Sequence, residues 1–187
     1  MSVGLAALAL HLLGPALASD VPVGDWTTDG LTPEEQARVE EGVQAAVAGL
    51  TAVARPIARE ALRRASRPCD RVRIQRQGEA LSVQCDDLAP AMAVPGREGA
   101  TWTGQDGRTH ALTYETRPGE IVQRLVASRG TKTTRFVADG PALRAEVTIE
   151  SRLLSGPISY TVIYRRPRIT LHACDCVHAP PPVCEDR

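Results

Sequence analysis

The sequence predicts an α+β fold in which one long N-terminal helix packs against an antiparallel β-meander of about eight or nine strands, curved into a barrel or half-barrel. Three observations carry this. Apolar residues recur at a helical period through Leu31 to Ser66. After Pro68 the period changes to two, and turn dipeptides then punctuate the chain so regularly that consecutive strands must be antiparallel neighbours.

Met1 to Ala18 is an apolar run ending in Ala16-Leu17-Ala18, the small-x-small pattern of signal peptidase cleavage. The expectation is an exported chain, periplasmic or secreted, that starts at Ser19. The run is too short for a membrane span, which needs about 20 residues. No Cys follows the cleavage point, so no lipid attachment is expected there. Residues 19–166 then form a single helix-plus-barrel domain, and 167–187 a Cys-, His- and Pro-rich tail. Formal net charge is zero, so no overall field points to nucleic acid.

Gly24-Asp25-Trp26 precedes the helix. A Trp so close to a mature N-terminus is expected to fold back and cover one end of the core. It is one of six aromatic residues, with Trp102, Tyr114, Phe136, Tyr160 and Tyr164. So few large rings leave interior volume to be filled by aliphatic side chains, by the helix, or by a bound molecule.

The helix begins at Pro33, where Pro at the first position loses nothing, Thr32 is the N-cap and Glu35 completes a capping box. Val39, Val43, Ala46, Leu50, Val53, Ile57 and Ala61 fall on one stripe at steps of three and four. Ala45, Ala48, Gly49, Ala54 and Ala58 beside it allow close approach of a sheet. The helix is expected over about 33–66, with a kink or break near Arg55 imposed by Pro56. Unbroken, some 34 residues would reach about 50 Å, too long for one small domain. Arg55, Arg59 and Arg63 make a basic strip along its second half, a candidate contact for an anionic surface or protein partner. The plainer account is a solvated face, with acids at the helix start and arginines toward its end as the macrodipole favours.

Strands are expected over about 70–166. Val72 and Ile74 alternate with arginines, Gln77-Gly78 interrupts, and Leu81 and Val83 alternate with Ser82 and Gln84, which is a hairpin. A two-residue turn at Gln77-Gly78 sets Val72 opposite Val83 and Ile74 opposite Leu81; a three-residue loop would set Cys69 opposite Cys85. The apolar match favours the first register. In either, Cys69 and Cys85 lie near enough for a disulfide in an oxidising compartment. Further strands are expected at Ala100–Thr103, Thr109–Thr116, Ile121–Ser128, Thr131–Ala138, Ala142–Glu150 and Ile158–Arg165.

Gly24-Asp25-Trp26, the meander and Arg165-Arg166 at its end together resemble the lipocalin-like barrels, in which a G-x-W segment and an arginine of the last strand close one barrel end. The resemblance implies that Trp26 stacks with Arg165 or Arg166 and that a small apolar ligand sits inside. This chain departs from those barrels in placing its long helix directly after the G-x-W segment.

In the tail, His172, Cys174, Cys176 and His178 recur at every second residue, and so share one face of an extended segment. Imidazole and thiolate suit zinc or copper, but four alternate residues reach one ion only if the strand bends. The plainer expectation is pairing of Cys174 or Cys176 with Cys184, and the odd total of five cysteines leaves one over. No nucleophile elbow, zinc-protease motif or phosphate-binding loop is present, so no enzyme and no cofactor is expected.

Two functions remain. One is an exported protein that binds an apolar ligand or lipid between sheet and helix, with Trp26, Leu50, Trp102 and Tyr160 as candidate lining residues. The other is a non-enzymatic envelope or secreted structural protein whose barrel is filled by its own helix.

Overall fold

The change of period at Pro68 is the boundary between helices and meander in the computed structural model, which describes residues 21–104 and 107–167. The expected signal segment and the tail, with His172, Cys174, Cys176, His178 and Cys184, lie outside the described residues.

Thr32 is extended (φ −63°, ψ 157°) and its Oγ1 accepts from the Glu35 N–H at 3.2 Å, so helix α1 (Pro33–Val47) starts as its cap dictates. It buries Val39, Val43, Ala46 and Val47. The chain then leaves the helix through residues 48–53 and re-enters it in α2 (Ala54–Ser66). The single long helix expected over 33–66 is therefore two. The break precedes Pro56 because that residue is the third of α2, inside the first turn, where its missing N–H has no helical acceptor. Arg55 fastens the break: its guanidinium donates to the carbonyls of Ala48 and Leu50 at 3.2 and 3.1 Å, near the end of α1. The apolar stripe does not survive it. Val53 and Ile57 are 80% and 70% exposed, and Ser66 is the one buried residue of α2.

Ten strands among the described residues form one antiparallel sheet in the order β4-β3-β2-β1-β10-β9-β8-β7-β6-β5. They are β1 (Gly24–Thr27), β2 (Arg71–Gln77), β3 (Ala80–Cys85), β4 (Ala91–Ala93), β5 (Ala100–Thr103), β6 (Thr109–Arg117), β7 (Glu120–Ala127), β8 (Gly130–Asp139), β9 (Ala142–Ser151) and β10 (Ile158–Arg165). The six strands read from Ala100 onward lie where alternation places them, to within a residue or so. The count exceeds eight or nine because β1 and β4 are too short to show a period. β1 precedes the helices yet sits between β2 and β10, with Trp26 opposite Val72 and Thr27 opposite Arg165.

The first hairpin corrects both expected registers. Val72 faces Cys85 and Ile74 faces Val83, with Gly78-Glu79 as the two-residue turn. Gly78 takes φ +60° at the first turn position, the place such a turn reserves for glycine, and this moves the loop one residue along. The Cys69–Cys85 disulfide forms nonetheless, with a Cα separation of 5.4 Å, and ties the exit of α2 to β3.

The sheet closes nearly into a barrel. β4 and β5, at the two ends of the strand order, are bridged by Tyr114 Oη donating to the Ala91 carbonyl (2.7 Å), the Gly96 N–H to the Tyr114 carbonyl (2.9 Å) and Trp102 Nε1 to the Ala89 carbonyl (2.8 Å). On the other side β1 meets β10 at Thr27 and Arg165 alone, and α1 takes over along β10. Glu35 Oε2 accepts from the Thr161 N–H (3.2 Å), Thr28 Oγ1 donates to the Ile163 carbonyl (2.8 Å), and Ser155 Oγ donates to the Ala45 carbonyl (2.7 Å). Gly42 lets the helix lie directly on Ile158, whose Cγ2 would stand 3.4 Å from an added Cβ.

Two stability changes follow from this packing. A Cβ at Gly130 would press into the Glu150 carbonyl and stand 3.3 Å from Ser151 Cβ. Gly130→Ala is expected to cost about 1–3 kcal/mol, seen as a lower thermal midpoint. Removing the disulfide with Cys69→Ser and Cys85→Ser together is expected to cost about 3 kcal/mol in urea unfolding, because the bridge closes a loop of about 15 residues.

Candidate functional site

The pairings of β6 to β10 assign the inward face row by row. Tyr160, Val147, Thr134, Gln123 and Tyr114 are successive cross-strand partners, and all five are buried. On one side runs Ile158, Ile149, Lys132, Leu125 and Leu112; on the other, Val162, Ala145, Phe136, Ile121 and Thr116. The interior thus holds a polar belt between flanks that are mostly aliphatic or aromatic.

At the seam the belt is satisfied: Gln123 Nε2 donates to Tyr114 Oη at 2.9 Å, and that hydroxyl donates on to Ala91. At the other end the Tyr160 hydroxyl is buried with no hydrogen-bond partner. An orphaned buried hydroxyl costs on the order of 1–3 kcal/mol. Burial pushes the phenol pKa of Tyr114, Tyr160 and Tyr164 upward, so all three are neutral donors at physiological pH. Tyr164 uses its proton on the Cys69 carbonyl at 3.1 Å.

Lys132 is the sole lysine of the chain and is half-buried in the apolar row next to the belt. Its Nζ donates to the Ala65 carbonyl at 3.0 Å, at the C-terminal end of α2. No carboxylate pairs with it among the described residues, and burial pushes its pKa down to about 8.

The lining residues expected from sequence separate into three places. Trp26 and Tyr160 are inside the barrel, each 3% exposed. Arg166 stands over the Trp26 ring, its guanidinium carbon 5.2 Å from the centroid, the stack that the resemblance to lipocalin-like barrels implies. Trp102 lies half-buried at the β4–β5 seam, its ring 5.8 Å from that of His110. Leu50 sits in the link between the helices, outside the packed core, because the helix ends three residues earlier. Thr134, Gln123 and Lys132 escaped notice as site residues. Their signal was parity, since each shares the inward phase of its apolar neighbours.

The arginine strip turns largely toward α1. Arg63 grips Glu40 through two bonds of 3.0 and 2.7 Å, and with Gln44 holds that carboxyl down to about 2; Arg59 donates to Gln44 at 2.9 Å. Among the described residues the one grouping of possible metal ligands is Cys69, Cys85 and Asp86, and the disulfide consumes both sulfurs.

These features define a helix-capped, nearly closed ten-stranded antiparallel barrel, lipocalin-like in outline. No protein-family model and no curated protein matches the chain. Solved structures that resemble it include the following three. A Schistosoma mansoni fatty acid binding protein in complex with arachidonic acid is 17% identical, with 78% of this chain and 95% of that one covered and a TM-score of 0.49. A fatty-acid-binding protein from Drosophila melanogaster brain is 16% identical, covering 76% and 98%, with a TM-score of 0.49. Secretory abundant heat soluble protein 4 of Ramazzottius varieornatus is 14% identical, covering 78% and 94%, with a TM-score of 0.48.

The lysine makes stability depend on pH in a fixed direction. Its pKa falls from 10.5 unfolded to about 8 folded, so between those values the unfolded chain binds more protons and stability rises with pH. Below that window the folded state bears the full cost of a desolvated ammonium. Lys132→Met is expected to flatten the rise, as urea unfolding at about pH 7 and about pH 10 would register.

Proposed function

We propose that this chain is a non-enzymatic, exported carrier that holds a small apolar or lipid-like molecule with a single polar group inside its barrel. The observation that supports this most is the Tyr160 hydroxyl, buried, unpartnered and set among apolar rows. A ligand oxygen accepting that proton would relieve the cost while the aliphatic rows take up the rest of the molecule. Export is supported by the apolar run ending at Ala18 and by the Cys69–Cys85 disulfide, which persists in oxidising compartments. Contact of the second helix with an anionic surface through Arg55, Arg59 and Arg63 would require them to exchange their bonds to Ala48, Leu50, Gln44 and Glu40, so this part of the reading has the least support.

A second reading, a structural or interaction protein with a filled barrel, is favoured by the direct seating of Gly42 on Ile158. Native and denaturing mass spectra of the protein exported from its own cell separate the two. Adduct mass in the range of a lipid, lost on denaturation, is the outcome expected of the carrier, and identical masses are expected of the filled barrel. Within the carrier, Tyr160→Phe should weaken binding of a fluorescent fatty acid about fivefold to tenfold in titration, and should leave a wholly hydrocarbon dye unaffected. Equal loss for both probes would remove Tyr160 as the polar anchor.

A further inference from the structure

We propose that Lys132 captures aldehydes bearing an apolar chain as a reversible imine inside the barrel, an inference that rests on the apolar interior proposed above and names the chemistry of one ligand class. Of the 22 lysine and arginine residues in the chain it alone is not arginine, so it is the one side chain able to present a neutral primary amine to a carbonyl. Cross-strand pairing puts it on the inward face between Ile149 and Leu125, with Ile158 and Leu112 next in the same row. Ile149, Ile158 and Leu112 are buried and Leu125 packs against them, so an aliphatic chain admitted to the interior proposed above would meet an apolar lining beside the amine.

The donor bond from Nζ to the Ala65 carbonyl holds the nitrogen at the end of α2. The amine faces no pairing carboxylate, and its depressed pKa keeps a substantial neutral fraction near pH 8. The adjoining residue Ser66 is 2% exposed, and its hydroxyl is a second buried polar group at this helix end without a partner.

The step balances without oxidant or reductant. The nitrogen lone pair attacks the carbonyl carbon, and a C–N bond forms as the C=O π bond opens. A proton passes from nitrogen to oxygen to give the carbinolamine. Loss of the hydroxyl with a second nitrogen proton, as water, leaves the C=N bond. Hydrolysis returns amine and aldehyde.

The test incubates the full exported chain with decanal or propanal near pH 8, reduces with cyanoborohydride, and reads adducts by intact mass and peptide mapping. The N-terminal amine serves as internal standard. The expected result is a decyl adduct at Lys132 formed about tenfold faster with decanal than with propanal, the difference that partial burial of the chain would give. Lys132→Arg, with unchanged circular dichroism, should lose that adduct and keep the N-terminal one. Labelling confined to the N-terminus, or equally fast at Lys132 in urea, overturns the proposal. Decanal that displaces an apolar dye yet leaves Lys132 unmodified overturns it while sparing the carrier. Equal labelling by both aldehydes, without dye displacement, overturns it by removing the apolar site on which it rests.

Discussion

Every backbone N–H and C=O along a sheet edge must find a partner, and the arrangement of this molecule follows from how its two potential edges are met. Ten strands in one meander bring the ends of the sheet together at β4 and β5, both short. No continuous ladder joins them. The gap is crossed by the Tyr114 hydroxyl, the Gly96 amide and the Trp102 indole, each reaching a carbonyl on the far side. At the other weak point β1 is too short to cover β10, and Thr28 just beyond β1 together with α1 supplies what a strand would have given. Glu35 accepts the Thr161 amide, Thr28 donates to the Ile163 carbonyl, and Gly42 lets the helix approach. Glu35, expected from the sequence to close a capping box with Thr32, instead spends its carboxylate on Arg38 and on the Thr161 amide of the sheet edge.

That closure determines what the interior can do. Tyr114 sits at one end of the polar belt because the seam needs its hydroxyl, and Gln123 is drawn into line by donating to it. The same cross-strand alignment carries Tyr160 to the opposite end of the belt, beyond reach of any group that would take its proton. A core selected for stability alone would place phenylalanine there, since the ring packs equally well and the hydroxyl costs desolvation. Its uncompensated hydroxyl is the feature on which the proposed recognition of a polar ligand group rests.

Most of the fold was legible because alternation is a local signal. From Ala100 to Arg165 each strand could be placed from parity and a turn dipeptide, and Leu143, Ala145, Val147 and Ile149 against Arg144, Glu146, Thr148 and Glu150 declared both faces of β9. What escaped was non-local or short. β1 pairs with strands some 45 and 138 residues away, so nothing in Gly24-Asp25-Trp26 announces a strand. The stripe through Leu50, Val53 and Ile57 promised a helix that the chain abandons, because Arg55 caps α1 and Pro56 suits a first turn. The same error moved Leu50 out of the interior. The polar belt was present in the inward parity of Gln123 and Thr134, but polar residues at inward positions read as noise until register shows them to be partners.

The second helix is held differently from the first. α1 buries a face of valines, whereas α2 is fastened by Arg59 and Arg63 to α1, by Leu62 against the core, by Lys132 at its last turn and by the disulfide just beyond it. Exposed polar contacts of this kind are worth little individually, so α2 belongs among the low-stability parts of the molecule. Of its fastenings, the one to Lys132 is the most conditional. The same nitrogen is desolvated, lacks an acid to stabilise its charge, and stands at the edge of the apolar interior. Lys132 Nζ has the Ala65 carbonyl as its one hydrogen-bond partner among the described residues, so under the proposals above a molecule engaging that amine would compete with the attachment of α2. An arginine there would have held the helix with a fixed charge, and the lysine leaves that link sensitive to what enters.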